Sequence, residues 1–97
     1  MRPRDRIMRP WVVRLSEIFE TAYWKRAGNS AVVWELLDGL VEALEVNPRS
    51  MGEQHFGFDG TCWVYESPTL LRLPRFYVLY RILDDNGIVV LCNFELR

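Results

Sequence analysis

The spacing of hydrophobic and polar residues changes several times along the chain. The segment "WVVRL" follows Pro10 and is short and rich in β-branched residues, which is typical of a first strand. Two segments with helical spacing come next. Each begins after a serine, Ser16 or Ser30, whose hydroxyl can accept a hydrogen bond from a backbone N–H of the first turn. The pattern therefore predicts one strand followed by two helices.

Each predicted helix has one apolar face, and the outer face of the second is acidic. The apolar residues are Ile18, Phe19, Ala22 and Tyr23 in the first helix, and Val33, Leu36, Leu37, Leu40, Val41 and Leu44 in the second. We expect Gly28 and Asn29 to end the first helix in a left-handed C-cap. Pro48 should end the second, because a proline disfavours helical geometry in the residue before it. The short connection predicts an antiparallel hairpin, and we expect Gly39 to mark a close contact between the two helices.

Alternation with a period of two dominates the C-terminal half. Residues 61–66 ("TCWVYE"), 75–83 and 88–95 are predicted strands. The "DDNG" between the last two contains an Asn-Gly pair, which favours a tight hairpin. The connection that precedes residue 61 is polar and contains glycine, so we expect it to be irregular.

Side chains of successive strand residues point to opposite faces of the sheet. In strand 75–83 one row is apolar or aromatic and should face the helices, while the other leaves arginine and tyrosine on an open face. The first row is Phe76, Val78, Tyr80 and Ile82, and the second is Arg75, Tyr77, Leu79 and Arg81. In the last strand the same rule predicts a core row of Ile88, Val90, Cys92 and Phe94, and an open row of Val89, Leu91, Asn93, Glu95 and Arg97.

The element order is therefore β-α-α-β-β-β. This order predicts an α+β fold in which a helical hairpin packs on one face of a small antiparallel sheet. The other face, which we call the open face, would then meet solvent or a ligand. A chain of 97 residues suits a single core. We expect one domain over residues 11–97 and a basic, disordered leader over residues 1–10.

The net charge of −1 conceals an uneven distribution. Four of the 12 basic residues lie in the leader, at Arg2, Arg4, Arg6 and Arg9, with Asp5 as its only acidic residue. Residues 11–97 are therefore acidic on balance, which is a poor match for a domain that grips nucleic acid by neutralising phosphates. The pattern favours a solvated leader over one that contacts RNA or an acidic partner.

Composition also limits the classes of site. No apolar run approaches the roughly 20 residues needed to cross a bilayer, and the first ten residues do not resemble a secretory signal, so we expect a cytoplasmic protein. Cys62 and Cys92 lie in separate segments without a Cys-x-x-Cys spacing, and the pattern favours two reduced, buried thiols over a disulfide. We expect neither a metal site nor a cofactor. His55, the only histidine, is expected to lie in a surface connection rather than in a catalytic site.

The four tryptophans are expected to be packing anchors rather than platforms for nucleic-acid bases. Trp24 and Trp34, on the two helices, are the pair that we expect to be exposed. An exposed pair there would indicate a contact with another protein.

Two segments resemble a known family. "RFYVLYRI" looks like the third strand of the RelE/ParE toxin superfamily, and "LVEALEVNPRSMG" resembles the end of that family's second helix and the turn that follows it. The resemblance spans nearly all of residues 11–97. It implies a small cytoplasmic toxin of a bacterial toxin–antitoxin module, with a β-α-α-β-β-β fold and a cognate antitoxin as partner. RelE-like members cut mRNA in the ribosome, whereas ParE-like members inhibit DNA gyrase.

The resemblance also implies candidate catalytic residues. Arg75 matches the arginine that opens the family's third strand, and Arg81 matches the basic residue after the aromatic one. Tyr77 stands near the position of an arginine in RelE-type strands, and Glu95 and Arg97 stand where the family has histidine or a basic pair. Attack by a 2′-hydroxyl needs a base, positive charge for the transition state and an acid for the leaving oxygen. Glu95 is the candidate general base, and Tyr77 stacks on a nucleobase of the RNA or donates a proton. Arg75, Arg81 and Arg97 supply the positive charge.

Two functions stay open at this point. The first is a ribosome-dependent mRNA endoribonuclease that inhibits translation. The second is a binding module of the same fold without enzymatic activity, either of the gyrase-inhibitor type or an inactive homologue. The acidic balance of residues 11–97 favours the second function, and the frequency of ribonucleases in the family favours the first. The sequence does not define the oligomeric state.

Overall fold

A computed structural model of the chain describes residues 11–54, 62–69, 75–83 and 86–96. These residues form, in order, β1 (Val12–Leu15), α1 (Glu17–Ala27), α2 (Ala31–Val46), β2 (Glu53–Gln54), β3 (Cys62–Glu66), β4 (Phe76–Leu83) and β5 (Ile88–Leu96), with a 3₁₀ turn at Pro48–Ser50. The predicted α+β class is confirmed. The two-residue strand β2 is an addition that no sequence pattern indicated. The leader, His55 and Arg97 lie outside the described residues.

Both predicted helix N-caps are present. The Ser16 hydroxyl accepts a hydrogen bond from the backbone N–H of Phe19 at 3.0 Å, and the Ser30 hydroxyl accepts one from Val33 at 3.2 Å. Each bond satisfies a backbone donor that has no partner inside the helix. The structure therefore begins both helices where the sequence predicted.

The two helices end in different backbone conformations. The predicted left-handed C-cap of α1 is wrong, since Gly28 has a right-handed φ of −59°. A Cβ atom at Gly28 would lie 2.4 Å from Cε3 of Trp24 and 2.9 Å from the Trp24 carbonyl oxygen, so the absence of a side chain permits the close approach of that ring. The end of α2 is as predicted, because Asn47 is extended, with φ of −152° and ψ of 93°, immediately before Pro48.

The sheet has the strand order β1-β5-β4-β3-β2. Neighbouring strands are antiparallel, except that the edge strand β1 pairs with β5 in parallel. The sheet is therefore mixed. The described part of the β4–β5 hairpin includes Gly87 with φ of 67°, the left-handed conformation that makes glycine favourable in such a turn.

The core lies between the helical hairpin and one face of the sheet. The predicted core row of β4 is confirmed, because all four of its side chains are at most 1% exposed: Phe76, Val78, Tyr80 and Ile82. Phe94 of β5 is at the centre of an aromatic cluster. Its ring stacks on Phe76 at 5.3 Å between centroids and meets Tyr23 and Phe19 edge-on at 5.4 and 6.0 Å. Such pairs add stabilisation to that of the buried area.

A β-bulge reverses part of the prediction for β5. Leu79 of β4 is opposite Asn93 but Tyr80 is opposite Leu91, so Cys92 is an extra residue in β5. The predicted placement of Ile88 and Val90 in the core is therefore wrong. Val89 and Leu91 are fully buried instead, together with Phe94 after the bulge, while Asn93 and Glu95 stay on the open face as predicted. The register changes by one residue at Cys92, which exchanges the two faces of the strand before it.

Three further expectations concern the helices. Trp24 and Trp34 are 65% and 52% exposed, as predicted, while Trp11 and Trp63 pack against the core. The prediction that Gly39 marks a contact between helices is wrong, since a Cβ atom there would meet nothing within 4 Å. Neither α1 nor α2, the helices in the described segments, is long and apolar enough to cross a membrane.

Candidate functional site on the open face

Two rows of side chains cross the open face. In antiparallel pairs, directly opposite residues share a face. One row contains Glu53 of β2, Val64 of β3, Leu79 of β4 and Asn93 of β5. The adjacent row contains Glu66 of β3, Tyr77 of β4 and Glu95 of β5. The bulge at Cys92 is what keeps Asn93 and Glu95 on this face.

A depression of about 460 Å³ lies over these rows. It is lined by Glu53, Gln54, Val64, Tyr77, Leu79, Asn93 and Glu95. Its middle is formed by the aliphatic and aromatic side chains of Val64, Tyr77 and Leu79. Its two carboxylates belong to Glu53 of β2 and Glu95 of β5, and these two strands are three strand spacings, or roughly 14 Å, apart. No lysine or arginine is among the described residues that line it. The depression therefore combines an apolar floor with negative charge on opposite sides.

Arg75 is held beside this depression rather than inside it. Its guanidinium forms an ion pair with Glu66 and donates a hydrogen bond to the Thr69 hydroxyl at 2.9 Å. A hydrogen bond with the Tyr77 side chain, and then the charge of Glu66, raise the pKa of Arg75. The structure thus brings Arg75, Tyr77 and Glu66 together, and Tyr77 is also directly opposite Glu95.

The backbone next to Arg75 is fixed by a buried serine. Ser67 follows β3, and its N–H donates to the carbonyl of Phe76 at 2.9 Å. Its hydroxyl accepts a hydrogen bond from the Phe76 N–H at 2.8 Å. These two bonds join the end of β3 to the start of β4, which places Arg75 and Glu66 side by side.

Arg81 lies at the other end of β4. Its position is six residues along the chain from Arg75, which corresponds to roughly 20 Å in a strand. It is half-buried, and it pairs across the strands with Cys62 and Val90. Burial and the neighbouring Cys62 raise the pKa of the Cys92 thiol, while the charge of Arg81 opposes this. The structure does not bring Arg81 together with Arg75, so the joint action of the two arginines stays a prediction, as does any role of Arg97.

Sequence reasoning missed two of the acidic residues around the depression. Glu53 belongs to a strand too short to have a recognisable period. Glu66 and Val64 had a usable signal, because alternation in "TCWVYE" places them on one face, the face opposite Tyr65. Within the described ranges, no three side chains of His, Cys, Asp or Glu lie close enough together to hold a metal ion.

A helical hairpin on one face of a mixed sheet, with the other face open, is a small α+β architecture, and comparison with known proteins identifies the fold more closely. No family model and no curated protein matches the sequence. Solved structures do match. The toxin–antitoxin complex RelBE2 from Mycobacterium tuberculosis gives a TM-score of 0.72 at 19% identity, covering 94% of this chain and 95% of that chain.

Two structures from Escherichia coli agree. The intact RelBE toxin–antitoxin complex gives a TM-score of 0.61 at 21% identity, covering 87% of this chain and 93% of that chain. A RelE double mutant in complex with an antitoxin RelB peptide gives a TM-score of 0.62 at 16% identity. That match covers 88% of this chain and 81% of that chain. The chain therefore has a RelE-like toxin fold, and the resemblance found in the sequence is confirmed for the fold.

Proposed function

We propose that this protein is the toxin-like component of a bacterial toxin–antitoxin module and that a cognate antitoxin binds it in the cytoplasm. The observation that carries the proposal is the RelE-like fold, which matches a toxin–antitoxin structure over 94% of this chain. The whole of that fold, rather than one motif, supports the assignment.

An exposed aromatic surface supports a protein partner. Trp24 of α1 and Trp34 of α2 are both exposed, and both pack against Tyr23, at 5.4 and 6.2 Å between ring centroids. Their contacts with Tyr23 restrict the two rings before any partner arrives, and rigid aromatic side chains are frequent anchors of protein interfaces.

Copurification tests the module directly. A toxin–antitoxin module predicts a small reading frame beside this gene, and the chain is expressed with a tag together with the product of that frame. We expect the two proteins to purify as one complex and the tag alone to capture nothing. A folded, soluble chain that leaves the neighbour's product behind would contradict the proposal.

The charge of the open face favours action by protein contact, as in inhibition of gyrase. The depression has Glu53 and Glu95 on opposite sides, and Arg75, which is hydrogen-bonded to the lining residue Tyr77, already forms an ion pair with Glu66. A nucleic-acid backbone would approach two carboxylates here without a cation between them, which opposes binding.

A ribosome-dependent mRNA endoribonuclease is the second candidate. The adjacency of Arg75, Tyr77 and Glu95 favours it. In this proposal Glu95 is the general base that takes the proton of the 2′-hydroxyl, and Arg75 stabilises the phosphorane-like charge of the transition state. Tyr77 stacks on a nucleobase of the RNA or donates a proton. Arg81 and Arg97 add positive charge along the bound RNA.

Mapping of mRNA ends after induction in bacteria separates the two actions. The ribonuclease produces new mRNA 5′ ends, which Arg75→Ala and Tyr77→Phe should abolish, while the outer-face variant Glu35→Gln keeps them. Arrest with intact mRNA and accumulated gyrase–DNA breaks supports action by contact instead. A folded chain that causes no arrest and changes neither RNA nor DNA supports an inactive homologue.

A further inference from the structure

We propose that the depression on the open face binds a basic, amphipathic segment of the antitoxin, with Glu53 and Glu95 as its charged contacts. This inference rests on the proposed function, because it takes the antitoxin as the partner. It goes further by giving the binding surface on this chain and the chemistry of the segment that fits it.

The floor of the depression is apolar. Val64, Tyr77 and Leu79 are all half-buried on the face that lies opposite the helical hairpin. Among the described residues, no helix or strand covers this face. The depression has a volume of about 460 Å³ and an apolar floor, so it can accommodate apolar side chains of a bound segment. Burial of that floor supplies the non-directional part of the binding free energy.

The proposed charged contacts are the two carboxylates on opposite sides of the depression. Within the described part of the chain, neither Glu53 nor Glu95 forms an ion pair, whereas Glu66 in the adjacent row is held by Arg75. Two exposed carboxylates beside an apolar floor attract a partner that carries positive charge on both sides of an apolar residue. Charge complementarity of this kind determines specificity and association rate more than it determines affinity.

The spacing of the charges restricts the segment. The α-carbons of Glu53 and Glu95 are roughly 16 Å apart, because three strand spacings of about 4.8 Å combine with an offset of two residues, about 7 Å, along the strands. In an extended segment, side chains at positions i and i+4 lie on one face and about 13 Å apart, with position i+2 between them. The long side chains of Lys or Arg at i and i+4 cover the remaining difference of about 3 Å. A segment with these two residues and an aliphatic residue at i+2 therefore fits both the carboxylates and the floor between them.

A titration followed by NMR tests the inference with the full chain. The probe is a synthetic peptide, Gly-Ser-Lys-Ser-Leu-Ser-Lys-Ser-Gly, and its matched control carries Glu in place of both Lys. We expect the Lys peptide to shift the amide signals of Tyr77, Leu79 and Asn93, and to bind more weakly as salt is added. The Glu peptide should shift none of them.

Two double variants show whether the carboxylates act as proposed. Glu53→Gln with Glu95→Gln removes both contacts and should weaken binding of the Lys peptide about five- to tenfold, the loss typical of two exposed ion pairs. Glu35→Gln with Glu42→Gln makes the same change of net charge on the exposed face of α2 and should leave the affinity unchanged. An equal loss in both double variants would overturn the inference.

Other outcomes are equally decisive. No shift on the open face with the Lys peptide, or equal shifts with both peptides, would overturn the inference. So would a single-stranded RNA oligonucleotide that shifts the same signals at lower concentration than the Lys peptide. The titration contains no antitoxin, so its failure would overturn the inference and leave the proposed function intact. Failure of the copurification would contradict the proposed function itself, so the two failures are distinguishable.

Discussion

Single glycines affect the stability of this protein in opposite directions. Gly39 lies in the middle of α2, and a Cβ atom there would meet nothing within 4 Å. Gly39→Ala should therefore raise the free energy of unfolding by about 0.5–1 kcal/mol, because alanine favours the helix and loses less backbone entropy on folding. Urea unfolding followed by circular dichroism measures the change.

Gly52 is the matched control. A Cβ atom at Gly52 would lie 2.5 Å from the carbonyl oxygen of Val64 and 2.7 Å from the hydroxyl of Tyr80. Gly52→Ala should lower the free energy of unfolding by about 1–3 kcal/mol, since the backbone of β3 cannot give way without disturbing the sheet. Equal effects of the two substitutions would contradict the described packing.

Tyr80 is the residue whose ionisation should matter most. Its buried hydroxyl donates a hydrogen bond to the carbonyl of Pro48 at 2.8 Å, and burial raises its pKa above the ordinary value of 10.0. Burial also raises the pKa of Tyr23 and Tyr65. A raised pKa in the folded state means that stability is fully present below about pH 10 and is lost as the pH rises further.

Tyr80→Phe tests that hydrogen bond. The variant should lose about 1–3 kcal/mol of unfolding free energy near pH 7, because the buried Pro48 carbonyl is left without its donor. Its loss of stability above about pH 10 should be shallower than that of the unchanged chain, since one buried tyrosine no longer titrates. Unfolding curves of Tyr80→Phe and of the unchanged chain, near pH 7 and above about pH 10, measure both effects. An equal fall in unfolding free energy with pH in the two proteins would contradict the role of Tyr80.

At the scale of elements, the two helix caps are chemically alike but differ in their connections. The Ser16 hydroxyl caps α1 and also donates to the carbonyl of Cys92 in β5 at 3.2 Å, whereas the hydroxyl of Ser30 accepts a capping bond from α2 alone among the described contacts. Ser30→Ala should cost about 0.5–1 kcal/mol and Ser16→Ala about 1–2 kcal/mol. Urea unfolding of both variants gives the comparison, and a larger cost at Ser30 would contradict this account.

Strand β5 offers a test of the bulge. Val89 is fully buried and Val90 is half-buried, although simple alternation predicts the reverse. Val89→Ala should cost about 2 kcal/mol of unfolding free energy, and Val90→Ala less than about 1 kcal/mol. Both variants lose the same strand propensity, so their difference isolates burial. A larger loss at Val90 would place the register change elsewhere.

Local patterns predicted most of the elements. The helices were predictable because serine caps, apolar spacing and Pro48 act within a few residues, and β4 was predictable because its alternation is unbroken. The bulge was not, since one extra residue leaves no mark in the composition of β5. The role of Gly28 was not either, because it depends on where the ring of Trp24 lies in space.

The site was less predictable than the fold. Tyr77 and Glu95 could be placed on one face from the sequence, because each strand is regular around them. The ion pair of Arg75 with Glu66 could not be predicted from the sequence, because it depends on the register of β3 against β4. Glu53 reaches the depression through a two-residue strand. The acidic character of the depression therefore emerged only when the strands were assembled.

At the scale of the whole molecule, fold and charge support different parts of the account. The RelE-like fold is the observation behind the proposed toxin-like role and the proposed antitoxin partner. The acidic depression supports a basic protein segment as the ligand of the open face. The same five-stranded sheet underlies both proposals, through its topology in the first and through the side chains on its open face in the second.

Growth of bacteria after induction of this chain, with and without the product of the small neighbouring frame, tests the central claim most directly. The account predicts growth arrest by the chain alone and normal growth when both proteins are made at comparable levels. Arrest that the neighbour's product does not relieve, or unimpaired growth with abundant, folded chain, would contradict a toxin held by its antitoxin.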